Sequence, residues 1–223
     1  FVLTLLISFA AFASLQGRGA WESLGFRRGG NEPARFAVGL ALGVATMAVL
    51  YIVGLASGAY HPAPGTVASR VVAVTAALAG ALLVGLVEEA VFRGGLFGGL
   101  QESMGSVAAA VVSSFIFAVL HFAEPVPLAG VVRGHWDSGL RMVPDLFRGL
   151  LTGTDVQPFI LTVFVMALVL CLFFRRQGSI YFIIGLHAGW VWVIGAGGAL
   201  LAGVGEPGPF LRDPGAVARG YLA

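Results

Sequence analysis

Long uncharged runs separated by short charged clusters organise this chain. After Arg35 no Asp, Glu, Lys or Arg appears until Arg70. Within that interval, residues 36–57 form an apolar run of the length needed to cross a bilayer as a helix. A second run, 71–100, is broken only by Glu88, Glu89 and Arg93, and a third covers 105–122 and ends near His121. A fourth covers 157–174, and a fifth, 179–203, has no formal charge but contains His187. The opening FVLTLLISFAAFASL reads as a shortened first transmembrane helix. A signal peptide ending at Ala11-Phe12-Ala13 is the alternative, but no basic segment precedes the apolar stretch. The pattern predicts an all-α polytopic bundle of about six membrane helices, because backbone polar groups in lipid must pair within their own segment.

Composition agrees. The 223 residues are 58% hydrophobic and 11% charged, against about 25% charged in an ordinary soluble domain. A net charge of +2 gives no electrostatic case for nucleic acid. The single cysteine, Cys171, cannot form an internal disulfide and reads as a small core or lipid-facing residue. Arg18, Arg27, Arg28 and Arg35 fall in one loop and Arg175 and Arg176 in another. Alternating helices put both loops on one side, expected to be cytoplasmic. In the long loop 123–156, Trp136, Leu140, Met142, Val143, Leu146 and Phe147 suggest a short interfacial helix. The expected organisation is N-terminal membrane helices and loop over 1–69, a helical core over 70–203 and a tail over 204–223.

Five ionisable side chains fall at membrane depth: Glu88, Glu89, Arg93, His121 and His187. Such groups are expensive in hydrocarbon and are functional candidates by default. Glu89 and Arg93 are four residues apart and can pair on one helix face. Glu88 is rotated about 100° from Glu89 and lacks so evident a partner, which makes it the better catalytic candidate. The bland alternative is that Glu88 only bonds a neighbouring helix. Phe117 and His121 share a face in FAVLH, and His187 lies in the uncharged IIGLHAGWVWV. A buried neutral His needs hydrogen-bond partners. Counted from a turn near Gln101–Gly105, Glu88 and His121 both lie roughly 20–25 Å deep, so an antiparallel pair can bring them level. His187 lies about 10–15 Å from its own turn at 175–178 and meets them if the end of the second helix projects beyond the bilayer. Gly94, Gly95, Gly98 and Gly99 are expected to allow close helix packing there.

These residues, in this order, resemble the CPBP family of intramembrane endopeptidases, which includes CAAX prenyl proteases and bacteriocin-processing or immunity proteins. The resemblance rests on Glu88-Glu89-x-x-x-Arg93 within GLVEEAVFRGGLF, on Phe117-x-x-x-His121, and on His187 within GLHAGW. It covers roughly residues 70–203. It implies a transmembrane bundle with a polar intramembrane cavity, acting on a membrane-associated protein or peptide in, as expected, a bacterial plasma membrane. It further implies that Glu88 activates water, that His121 holds that water or stabilises the oxyanion, and that His187 completes the site, with Glu89, Arg93 and Phe117 in support. The family has been described as both metal- and glutamate-dependent, so Glu88, His121 and His187 are also candidate ligands for zinc. His135 and Asp137 form a weaker metal-site alternative. The family's third motif usually carries Asn four residues after its His, where this chain has Val191. Val supplies no donor, and the nearby Trp190 and Trp192 offer only indole N–H groups.

Three functions compete. A membrane endopeptidase follows from the ordered Glu/His/His set. A non-catalytic immunity or scaffold protein on the same fold follows from Val191. A small transporter or proton relay is the third, and it is disfavoured because no inverted repeat is visible.

Overall fold

The computed structural model describes residues 19–27, 29–121 and 157–203. The expected first helix, the interfacial helix of the 123–156 loop, His135 and Asp137 lie outside the described residues. The helices are α1 (Gly19–Ser23), α2 (Glu32–Ala56), α3 (Val67–Glu89), α4 (Gly98–Met104), α5 (Ser106–His121), α6 (Gln157–Gln177) and α7 (Tyr181–Leu200). Strands β1 (Tyr60–Pro62) and β2 (Leu201–Gly203) pair antiparallel, with His61 opposite Ala202. The chain is an all-α polytopic bundle in which each predicted span among the described residues is helical. One local correction applies to the fifth span. It was expected to run as a helix to residue 203, but α7 ends at Leu200 and the last three residues form β2.

Four helical stretches are long and apolar enough to cross a membrane: Glu32–Ala56, Val67–Met104, Ile160–Gln177 and Tyr181–Leu200. The shorter apolar α5 packs among them. Large apolar side chains such as Val49, Ile52, Val72, Val107 and Leu161 face outward, as expected where the solvent is lipid. The chain is an integral membrane protein. Of the four stretches, α7 is the central one: 50% of its most apolar window is buried, against 11–17% in the others. This explains why His187, on α7, is buried.

The close helix crossing is not where the sequence suggested. Gly39 and Gly43 of α2 meet Gly185 and Gly189 of α7 in a reciprocal small-residue crossing. A Cβ at Gly39 or Gly43 would collide with the Phe182 or Leu186 carbonyl, and one at Gly185 with the Phe36 carbonyl. A Cβ at Gly189 would lie 2.6 Å from the Leu40 carbonyl oxygen. Helices in lipid gain mainly from such backbone approach, since burial from water is not available to drive them together. The expectation for Gly94, Gly95, Gly98 and Gly99 is corrected accordingly. Only Gly94 meets another segment, the backbone of Leu24, while Gly95 and Gly98 face carbonyls of their own helix and Gly99 faces nothing within 4 Å.

Between α3 and α4 the chain does not remain α-helical. Residues Ala90–Phe97 form a π-helical segment, in which the Gly98 N–H reaches back five residues to the Arg93 carbonyl. Widened turns of this kind are rare and concentrate at functional sites. This one begins directly after Glu89. The α6–α7 turn closes on Gly178, whose φ of +59° suits glycine and whose N–H caps the Phe174 carbonyl at 2.9 Å.

Candidate active site

Glu88 and Glu89 end α3, His121 ends α5, and His187 lies a third of the way along α7. The antiparallel arrangement brings all of them together with Arg93 and Phe117. Their sequence-predicted convergence is therefore present in the fold.

The two carboxylates have different surroundings. Glu89 is fully buried, and its Oε1 accepts from Arg93 Nη1 at 2.9 Å and from His187 Nδ1 at 2.7 Å. Arg93 is equally buried, donates from Nη2 to the Ala167 carbonyl of α6 at 3.4 Å, and lies 4.4 Å from the centre of the Phe117 ring. A buried ion pair of this kind requires its partner, because removing one charge leaves the other stranded. Sequence reasoning anticipated the Glu89–Arg93 pair but missed the bond from Glu89 to His187, which lies 98 residues away. No local spacing signals it.

Glu88 points the other way. Its Oε2 lies 3.7 Å from His121 Nε2 and 3.7 Å from His187 Nε2. These separations are too long for hydrogen bonds. Oε2 is buried and has no hydrogen-bond partner among the described residues, although the side chain as a whole is 25% exposed. The carboxylate therefore stands at the edge of the core, within reach of the surface.

The histidines are oriented from behind. His121 Nδ1 lies 2.9 Å from the Phe117 carbonyl. A carbonyl oxygen only accepts, so Nδ1 carries a proton and Nε2 faces Glu88, as a lone pair when the ring is neutral. The Glu89 carboxylate sets His187 in the same sense. Phe117 is the wall between them, with its ring centroid 4.0 Å from that of His121, 6.2 Å from that of His187 and 4.8 Å from that of Phe92. When both rings are neutral, one carboxylate oxygen and two imidazole nitrogens face a common point as acceptors, an arrangement that suits a small O–H donor.

The same three residues are less suited to a metal. Ligand atoms of a tetrahedral zinc site with bonds of about 2.0–2.1 Å lie about 3.4 Å apart, closer than the separations here. Among the described residues no group of three or more His, Cys, Asp or Glu is arranged to hold a metal ion.

Val191, half-buried on α7, adds no donor. The neighbouring indoles do not replace one. Trp190 Nε1 donates to Thr46 Oγ1 at 3.0 Å, and Trp192 Nε1 donates to the Val74 carbonyl at 3.1 Å. Both N–H groups are engaged in helix–helix bonds.

Residues 70–193, more than half of the chain, match the model of the Rce1-like type II CAAX prenyl endopeptidases. The chain belongs to this family. The matched region of this Rce1-like chain begins within α3 and ends within α7, and so contains every side chain of the cluster. No curated protein and no solved structure matches the chain. Membership in the Rce1-like family implies an intramembrane protease with a peptide or protein as substrate.

Proposed function

We propose that the chain hydrolyses a peptide bond of a membrane-associated protein or peptide, with Glu88 as the base that activates water. The observation that carries this reading is the position of Glu88 Oε2, 3.7 Å from the Nε2 atoms of both His121 and His187. Water donates to Glu88 and to an imidazole lone pair, which orients its oxygen toward the scissile carbonyl. As attack proceeds, the proton passes to Glu88, and Glu88 then returns it to the leaving amine, so that atoms and charge balance. Glu89 is a positioning residue: it holds His187 through Nδ1 while Arg93 compensates its charge. His121 in its Nδ1–H form serves as an acceptor for the water. It becomes an oxyanion donor only when Nε2 is protonated. The mechanism needs no step through a metal.

Cleavage in water enriched in ¹⁸O, followed by mass spectrometry of a membrane-tethered peptide library, tests the reading. The expected product is a new C-terminal carboxylate carrying one solvent oxygen, formed equally with and without EDTA.

Val191 and the engaged Trp190 and Trp192 favour a second reading, a non-catalytic membrane scaffold or immunity protein on the same fold. An inactive wild type together with an active Val191→Asn variant would establish it.

A further inference from the structure

At the end of the bundle where α2 and α7 begin and α6 ends, a cavity of about 210 Å³ opens beside the helices. It is large relative to the roughly 30 Å³ that one water occupies in the liquid. It carries polar side chains from two segments distant in sequence: Arg27, Asn31, Glu32 and Arg35 on one side, Gln177 and Ser179 on the other. The family chemistry described above uses none of these residues.

The cavity is a fixed feature, because the segment before α2 is docked on the α6–α7 turn. Leu24 is buried against Gly94, the Gly25 carbonyl accepts from the Ile180 N–H at 3.0 Å, and Phe26 packs edge-on against Tyr181 at 5.9 Å. Arg27 lies over the turn, where a Cβ on Gly178 would be 3.6 Å from its Nη1. Neither Arg27 nor Arg35 forms a salt bridge among the described residues. Ser179 is only 3% exposed, and its Oγ has no hydrogen-bond partner there. A buried hydroxyl without a partner is costly and points to a ligand.

Glu32 narrows the ligand class. Its carboxylate accepts from the N–H groups of Gly29 and Gly30, so these two backbone donors ahead of α2 are already used. The two guanidiniums are the charged donors of the cavity, with the Ser179 hydroxyl and the Asn31 and Gln177 amides as neutral ones. Two Arg and one Glu leave the cavity with one net positive charge, which matches a phosphodiester. Arg is suited to phosphate because its planar fork donates two parallel bonds. Basic pockets at the ends of transmembrane helices are where anionic headgroups bind.

We propose that this cavity binds a phosphate group, held by Arg27, Arg35 and Ser179, with the headgroup of an anionic phospholipid as its source. The bound group bridges the start of α2 and the α6–α7 turn. It sits at the start of α7, which begins about 9 Å along the helix from His187, and so braces the helix that carries the site.

The test is the thermal stability of the purified full chain in neutral detergent, titrated with short-chain phosphatidylglycerol or with inorganic phosphate. Wild type is expected to show a saturable rise in Tm with phosphatidylglycerol. The apparent Kd should weaken about tenfold or more in an Arg27→Gln/Arg35→Gln variant, the loss expected for charge-assisted bonds. An Arg175→Gln/Arg176→Gln variant removes the same charge from the exposed end of α6 and should behave as wild type. An equal response to inorganic phosphate, lost in the same variant, would support the site with free phosphate as its source. No saturable shift with either probe, or equal weakening in both double variants, would overturn the proposal. If the Arg27/Arg35 variant does not fold, Ser179→Ala decides: a weaker Kd supports the site and an unchanged one refutes it.

Discussion

Glu88 and Glu89 are adjacent in sequence but differ in environment. The 100° step along α3 turns Glu89 into the core, where Arg93 and His187 share its Oε1, and turns Glu88 toward the two Nε2 atoms. Their roles should separate in kinetics. Glu89→Gln weakens the bond that orients His187, and a charged hydrogen bond is worth about 1.5–3 kcal/mol. The variant should lose Tm, because Arg93 is left without its partner, and the folded fraction should show a fall in kcat of about ten- to a hundredfold with KM little changed. A change confined to KM would mean that Glu89 does not act through His187. Val191 makes the opposite test. If the site lacks an oxyanion donor, Val191→Asn should raise kcat by up to about a hundredfold, the lower end of what one such donor contributes elsewhere. Unchanged kcat would show that another group supplies the donor. Much of this scale was legible in the sequence, because a carboxylate pair, an Arg and two His stand out in apolar runs. The Glu89–His187 bond was not, since it depends on how α3 and α7 rotate against each other.

The elements position these residues by backbone approach. The Gly39/Gly43 and Gly185/Gly189 crossing lets α7 lie deep in the bundle, which carries His187 to Glu88. Gly189→Leu would drive a side chain into the Leu40 carbonyl and separate the helices. Overpacking of this kind costs about 1–3 kcal/mol, so Tm in detergent should fall measurably. Gly99→Ala serves as the control. Nothing lies within 4 Å of Gly99, and Ala should leave Tm unchanged or slightly raised, by the helix preference of about 0.5–1 kcal/mol. Equal losses in both variants would contradict the crossing. Among the described residues the spans were legible from charge punctuation, apart from the end of the fifth, because lipid forces helices on any apolar run of sufficient length. The partner of each helix was not. This chain has 33 Gly, and small-residue spacing recurs at many sites, so spacing by itself pointed to Gly94–Gly99 instead. The π-helical segment had only the weak signal of Gly94-Gly95, which lowers the local α preference.

At the scale of the whole molecule, a lipid-facing bundle encloses a cluster in which a carboxylate at the edge of the core faces the Nε2 atoms of two histidines oriented from behind. Family membership supplies the reaction class, peptide-bond hydrolysis in a membrane. The distances from Glu88 to the two imidazoles support our proposal that Glu88 is the base, and that proposal is the central claim. The most direct measurement is the cleavage rate of one membrane-tethered peptide by purified wild type and by Glu88→Gln, with the Tm of both proteins confirming equal folding. The amide keeps the size of the side chain and removes its capacity to take a proton. A loss of about 10²–10⁴-fold in kcat, the range for a general base, is the predicted result. A Glu88→Gln protein that cleaves as fast as wild type would contradict the account.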